Sequence, residues 1–385
     1  MEKTKTVLII AGEASGDQHA ANLVKEIKRR DTDIRFWGLG GARLKDAGVD
    51  VRADLVSCAV IGFFEVLKHL GTIRSVYKRL LSDIDARKPD AAILVDYPGF
   101  NLHLAKDLKK RGIPVMYYIS PQIWAWGKGR IRTIRETVGL MIVLFPFEEA
   151  LYRAHNVPVV FVGHPCLDHV RPRQAAEDFR KTLSLEPSRL TVSLLPGSRT
   201  KEIKTLLPVM LDAAAMIKKT CPAPVEFLVL AAPSVPRELI DGIAASHTVP
   251  VKIVHDRTYD GIAASDLCLV CSGTATLETG ILGTPMIILY KVNFLTWLYM
   301  RMLIRIPYIG LVNVVAGRKI SEEFIQFDAA APRIASYCTA VLRDADKRAS
   351  LRRELAMLKN ALGSPGAGGR AAEAVIAFLR QTRGK

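Results

Sequence analysis

Long hydrophobic runs are missing from this chain of 385 residues. No stretch reaches the roughly eighteen apolar residues that a spanning helix requires. The longest, around 294–311, is cut by Arg301 and Arg305. The first residues are charged and polar and lead into a short apolar strand, Val7–Ala11, so a secretory leader is not expected. Together these absences predict a cytoplasmic protein, attached at most to a membrane surface. Cysteine is sparse: six residues without a disulfide framework suit a reducing compartment. Cys268 and Cys271 form a C-x-x-C inside a predicted strand, where residues three apart face opposite sides, so no metal is expected there. Acidic residues are also short, 38 against 54 basic, which leaves a formal charge of +16. Such an excess suits nucleic acid, an anionic membrane or a polyanionic substrate. No recognition helix, zinc finger or aromatic sheet accompanies it, so nucleic acid is not expected as a partner.

What is present is β/α alternation. Strands are predicted at 6–11, 34–38, 89–96 and 115–119, with helices at 17–30 and 102–110 between them. Val/Ile-rich strands in that rhythm predict a parallel sheet covered on both faces. The rhythm dissolves at 168–188 and restarts with strands at 190–195, 225–231, 251–254, 267–271 and 286–290. The sequence thus predicts α/β architecture: two doubly wound Rossmann-like domains with a cleft between them. Their expected spans are 1–170 and 171–365. The Gly/Pro-rich stretch Gly363–Gly369 precedes a last helix, 370–385, which would dock on the first domain or on a second copy, leaving room for a homodimer.

Ligands of such folds gather beyond the carboxyl ends of the strands, and several motifs lie there. Ser272-Gly273-Thr274-Ala275-Thr276-Leu277-Glu278 follows the run Leu267–Cys271. It places a helix N-terminus, with outward amides, where a diphosphate could sit. Glu278 could then reach a ribose hydroxyl. Pro196-Gly197-Ser198-Arg199 offers a guanidinium beside backbone amides, a clamp for the same diphosphate or a plain surface arginine. Gly12-Glu13-Ala14-Ser15-Gly16-Asp17 is no dinucleotide fingerprint, since it lacks G-x-G-x-x-G. It reads as a substrate loop or a structural turn. Asp96 ends a strand ahead of Tyr97-Pro98-Gly99, as a general base would, or as an Asx turn would. Trp124 and Trp126 crowd one loop as a sugar or acyl wall, or as core. His164 is a hinge residue or a catalytic one. Two apolar segments with basic fringes, containing Ile61, Phe63, Phe64 and Leu67, and Phe294, Leu295, Trp297 and Leu298, suit acyl chains or an anionic lipid surface.

Six motifs in this order, from Gly12–Asp17 through Asp96–Asn101, Ser120–Trp126, Gly163–Pro165 and Leu195–Arg199 to Ser272–Glu278, resemble the lipid-A-disaccharide synthase family. The resemblance implies an inverting, metal-independent GT-B glycosyltransferase without a cofactor, acting as a peripheral protein on the cytoplasmic face of the inner membrane of Gram-negative bacteria. It would join UDP-2,3-diacylglucosamine to 2,3-diacylglucosamine 1-phosphate (lipid X), giving lipid A disaccharide 1-phosphate and UDP. Asp96 resembles the base that activates the acceptor's 6-hydroxyl. Ser198, Arg199 and Ser272, Gly273, Thr274, Ala275 and Thr276 would hold the diphosphate, Glu278 the ribose, and Gly12, Glu13, Ser15 and Asp17 the cleft wall. Asn313 and Gln326 keep family positions, so donor contact is implied for both. Members of that family can carry a second Asp where this chain has Gly99, which leaves Asp96 the only carboxylate of its turn. The rival readings are a GT-B UDP-N-acetylglucosamine 2-epimerase, a peptidoglycan-type N-acetylglucosaminyl transferase and a non-enzymatic basic membrane-surface binding protein.

Overall fold

The computed structural model describes residues 4–56, 63–125, 127, 129–303 and 306–382, with backbone alone at 63–70, 295, 299, 300, 302 and 303. It divides into two compact units, 1–165 with 363–385, and 166–362.

The first unit is built on a parallel sheet of seven strands: β1 (Lys5–Ala11), β2 (Ile34–Gly40), β3 (Asp50–Asp54), β4 (Ala91–Val95), β5 (Val115–Tyr118), β6 (Leu140–Val143) and β7 (Val159–Phe161). Their spatial order is β3-β2-β1-β4-β5-β6-β7. Chain growth therefore runs outward from β1 one way, then outward from β4 the other way. Residues 7–11 and 91–95 are wholly buried, as central parallel strands covered on both faces must be. Helix α1 (Ala14–Arg30) follows β1, α2 (Ala42–Asp46) follows β2, and α3 (Phe63–Arg87) precedes β4. Helix α4 (Pro98–Lys110) starts four residues ahead of the prediction, because Pro98 sits in its first turn, where a missing N–H costs nothing. Helices α5 (Arg130–Thr137) and α6 (Pro146–Ala154) follow β5 and β6.

The second unit holds six parallel strands: β8 (Leu190–Leu195), β9 (Val225–Ala231), β10 (Lys252–His255), β11 (Leu267–Cys271), β12 (Met286–Tyr290) and β13 (Glu322–Ile325). Their order is β10-β9-β8-β11-β12-β13, the same reversal, here between β8 and β11. In order along the chain its helices are α7 (Cys166–His169), α8 (Ala176–Thr182), α9 (Thr200–Thr220), α10 (Arg237–Ala245), α11 (Thr258–Ala263), α12 (Thr274–Ile281), α13 (Phe294–Leu303), α14 (Leu311–Ala316), α15 (Ala331–Arg343) and α16 (Ala345–Ala361).

The closing helix α17 (Ala367–Gln381) belongs to the first unit. Its buried face, Ala371, Ala372, Val375, Ile376 and Leu379, shares one core with Ala20, Leu23, Val24 and Ile27 of α1. The Lys5 ammonium adds a bond to the Leu379 carbonyl at 2.7 Å. Leu379→Ala would leave a cavity costing about 2–5 kcal/mol. Urea unfolding followed by circular dichroism should show that loss, and an unchanged midpoint would mean α17 contributes little to this core.

Candidate active site

Where strand order reverses, successive crossovers leave on opposite faces and a crevice opens beyond the strand ends. In the first unit the loops after β1 and β4 flank that point. The Asp96 and Tyr97 backbones both adopt left-handed conformations, φ 46° and 45°, at a cost of about 1–3 kcal/mol each. The turn is held by side chains below it. The Asn101 amide donates to the carbonyls of Val95 (3.1 Å) and Asp96 (2.7 Å), and the Tyr117 hydroxyl donates to the Asp96 carbonyl (2.5 Å). Tyr97 lies over Gly12 so closely that a Cβ there would sit 2.3 Å from its ring, which requires glycine at this position.

Burial, reinforced by the negative charge of Glu13 and opposed by a backbone N–H, raises the Asp96 carboxyl to about 6. Glu13 and Ser15 are exposed beside it. Asp17 differs: it is buried, and its carboxylate accepts the N–H groups of Gly41 (2.7 Å), Arg43 (3.0 Å) and Leu44 (3.3 Å). The Asp17 side chain thus ties α2 to α1 rather than presenting a charge to solvent.

The loop Ser120–Trp124 rests on a carboxylate that the sequence reading passed over. Glu148 is buried, accepts the Trp124 indole N–H (3.2 Å) and the Phe145 N–H (3.3 Å), and is pushed up to about 7 by burial. Three residues after Phe145, at the start of α6, it accepts the N-cap amide as the second half of a capping box would, but a phenylalanine at the N-cap supplies no sequence signal for it. The Ser120 and Tyr152 hydroxyls meet at 2.8 Å. Trp124 packs edge-on to Phe147, and Phe145 lies between Phe147 and the buried His164. Trp126 and Ile61 lie outside the described residues, as do the side chains of Phe63, Phe64, Leu67 and Leu295.

In the second unit the loops after β8 and β11 open onto a pocket of about 580 Å³. Gly197, Ser198, Arg199, Ser272, Gly273, Thr274, Ala275 and Glu278 line it. The Thr276 amide of α12 turns back to the Gly273 carbonyl (3.1 Å), while the Thr274 and Ala275 amides ahead of it have no acceptor within the helix, so the N-terminus presents donors and a positive dipole end there. Thr276 is buried, with its hydroxyl on the Gly273 carbonyl (2.8 Å), and Ser272 donates to the Ile309 carbonyl (3.2 Å). Glu278 accepts from the Tyr259 hydroxyl at 3.0 Å, and burial raises its carboxyl.

The β8 loop departs from the expected row of open amides. Glu202, three residues into the turn, accepts the Ser198 and Arg199 amides (3.2 and 3.3 Å) and pairs with the Arg199 guanidinium at 2.9 Å. Arg199 nevertheless exposes 82% of its side chain. Arg171, Arg173 and Arg257 also line the pocket. The first two fall in the stretch read as a domain boundary, where the Arg171-Pro172-Arg173 pair was the available signal.

Asn313 and Gln326 are buried and bonded to backbone rather than aimed at the pocket. Asn313 accepts Ile320 and Ser321 N–H groups and donates to the Ser321 carbonyl and to Glu323. Gln326, itself left-handed at φ 55°, exchanges two bonds with the Val292 backbone, fixing the loop ahead of α13. On that helix Phe294 and Leu298 are exposed, and Phe294 and Trp297 gather with the exposed Phe327 at ring distances of 5.4–6.3 Å. The Arg301 guanidinium lies over Trp297 at 5.2 Å.

Two parallel-sheet units, each carrying its loops at a point of strand reversal, define the GT-B class of glycosyltransferases and epimerases. Solved structures share the fold at low identity. The calicheamicin glycosyltransferase CalG4 is 14% identical with a TM-score of 0.57, covering 98% of this chain and 99% of that one. The UDP-GlcNAc 2-epimerase of Neisseria meningitidis is 13% identical at 0.56, covering 98% and 100%.

Sequence separates the two activities. The model of the lipid-A-disaccharide synthetase family matches residues 7–364. The lipid-A-disaccharide synthase of Syntrophus aciditrophicus (strain SB) is 47% identical over 380 residues, 98% of this chain and 99% of that protein. That of Geobacter sulfurreducens is 42% identical over 373 residues, 97% of each. The chain belongs to the lipid-A-disaccharide synthase family, glycosyltransferases of lipid A biosynthesis, and the epimerase reading is not favoured.

Because Glu13 supports the raised Asp96 titration, Glu13→Gln should move that midpoint down from about 6. Carboxyl carbon NMR across a pH series measures it directly. An unshifted midpoint would leave burial as the whole cause.

Proposed function

We propose that the chain transfers a 2,3-diacylglucosaminyl group from UDP to the 6-hydroxyl of 2,3-diacylglucosamine 1-phosphate. The observation that carries this reading is the pocket that joins the α12 N-terminus, Arg199 and Glu278 in a member of this family. Asp96, as the carboxylate, takes the hydroxyl proton while the oxygen attacks the anomeric carbon from the face opposite UDP. The bond from that carbon to the diphosphate oxygen breaks, and its electron pair leaves on UDP. The amides of Gly273, Thr274 and Ala275 and the Arg199 guanidinium, swung from Glu202, stabilise that charge. Glu278 accepts a ribose hydroxyl. Gly12, Glu13 and Ser15 form the wall beside Asp96, and Asp17, Asn313 and Gln326 support loops from below.

The base form of Asp96 is the ionised one, so turnover should fall as pH drops through about 6. Asp96→Asn should lower turnover by about 10²–10⁴-fold and leave UDP affinity unchanged. Glu278→Gln should weaken UDP binding about tenfold or more, the worth of a charge-assisted hydrogen bond. Disaccharide formation in detergent and UDP calorimetry check both. An Asp96→Asn enzyme with wild-type turnover would remove Asp96 from the chemistry.

The exposed Phe294, Leu298 and Phe327 with the half-buried Trp297, fringed by Arg301 on a chain of net charge +16, are proposed to rest on the anionic cytoplasmic surface of the inner membrane. Among the described residues no helix is long and apolar enough to cross a membrane. Wild type should sediment with phosphatidylglycerol vesicles and far less with phosphatidylcholine alone. A Phe294→Ser, Leu298→Ser, Phe327→Ser triple variant should lose that binding; equal sedimentation of variant and wild type would sink the assignment.

A further inference from the structure

Cys166, His169 and Glu278 converge although 112 positions separate the first from the last in the sequence. One donor atom from each, the Cys166 thiol, a His169 ring nitrogen and a Glu278 carboxylate oxygen, lies within 4.8 Å of the other two. Cys166 and His169 stand three apart across the single turn of α7, so they share one face, and Glu278 reaches them from α12. In a zinc site with bonds of about 2.0–2.3 Å, neighbouring donors stand about 3.5 Å apart, so a contraction of about 1 Å would bring the three to bonding distance.

We propose that these three side chains form a binding site for a borderline divalent ion of the Zn²⁺ or Co²⁺ kind. The donor set selects the ion: one thiolate, one imidazole and one carboxylate suit Zn²⁺ and Co²⁺ and disfavour Mg²⁺ and Ca²⁺. Support from the surroundings is already in place. The Tyr259 hydroxyl donates to Glu278 Oε1 at 3.0 Å, which orients the carboxylate and leaves its second oxygen for a metal. Cys166 is buried, while His169 is exposed and provides the entry side. An ion that binds the sulfur displaces the Cys166 thiol proton to solvent.

Glu278 also lines the pocket assigned to the nucleotide. An ion seated here holds Glu278 away from a ribose hydroxyl, so it competes with UDP. That consequence rests on the proposed function, whereas the ion site itself does not. The cluster is thus an inhibitory site for borderline divalent ions beside the nucleotide pocket.

Titrating tag-free full-length protein with Co²⁺ and recording the thiolate-to-cobalt charge-transfer absorption tests the site. A single saturating band is expected in wild type, unaffected by excess Mg²⁺ and absent in Cys166→Ser. His169→Ala, a change on the surface, should bind Co²⁺ about tenfold or more weakly. Calorimetry should show Zn²⁺ weakening UDP binding to wild type and not to Cys166→Ser. No band, a band that survives Cys166→Ser, or full Co²⁺ affinity in His169→Ala overturns the site, and unchanged UDP affinity with Zn²⁺ bound overturns the competition. If metal-free protein fails to bind UDP, the nucleotide assignment falls, while the cobalt band still decides the ion site.

Discussion

Each sheet is built outward from its first strand in one direction and then from a later strand in the other, and right-handed crossovers make that reversal carry a consequence. The helices on either side of β1/β4 and of β8/β11 must leave on opposite faces, so the loops between them part at the strand ends. Residues that side chains elsewhere would cover are there open to a ligand. The loops after β1, β4, β8 and β11 carry nearly all the chemistry-bearing residues of the chain. The fully buried centres of β1, β4, β8 and β11 keep those loops in register, and the strain at Asp96 and Tyr97 is tolerated because Asn101 and Tyr117 hold the turn from below.

The two units differ in their charged groups at the reversal points: carboxylates alone around Asp96, mixed charges around the second pocket. In the first, Glu13 and burial act together on Asp96 and make ionisation harder, which raises proton affinity toward neutrality. A carboxylate so poised is a better proton acceptor than an exposed one and is still ionised at neutral pH. In the second, Arg171, Arg173, Arg199 and Arg257 line the pocket in even number with Glu202, Asp256, Asp260 and Glu278, and the α12 N-terminus adds its positive dipole end. An anion at that end of α12 would meet donors already oriented, with little reorganisation. The Arg199–Glu202 pair is surface-exposed on the arginine side, so separating it costs about 1 kcal/mol or less.

Periodicity made the architecture legible. Continuous Val/Ile runs marked β1, β8, β9, β11 and β12 to within a residue, because a strand buried on both faces has no polar side to blur it. The start of α4 was hidden because Pro98-Gly99 reads as a turn by composition, while Pro at a helix's first turn is equally favourable. Asp96, Arg199 and Glu278 were visible because the pattern placed them just beyond strand ends. Glu148 and Tyr259 were not, since nothing local distinguishes a buried carboxylate or a hydroxyl partner from ordinary helix residues. Phe327 was missed for a related reason: its aromatic neighbours come from α13, thirty positions earlier, and only the fold assembles them.

Asp17, Asn313 and Gln326 commit their side chains to the fold itself. All three are polar and buried, Asp17 in the first turn of α1, Asn313 in α14 and Gln326 just after β13, and all three bond to backbone amides or carbonyls. A loop at a reversal point has many main-chain groups without ladder partners, and each must be satisfied if it is buried. A short carboxylate or amide is the cheapest way to do so, since one side chain can serve two or three such groups. Replacing any of them would therefore disturb the site through geometry, leaving unpaired backbone groups at about 1–3 kcal/mol each. Asp96 and Glu278 belong to the other kind. Glu278 takes one bond from Tyr259, and at Asp96 it is the backbone carbonyl, not the carboxylate, that Asn101 and Tyr117 hold. A carboxylate that the fold does not use on its own backbone can meet a ligand, and that contrast is what supports the roles proposed for this pair over the side chains that hold the backbone around them.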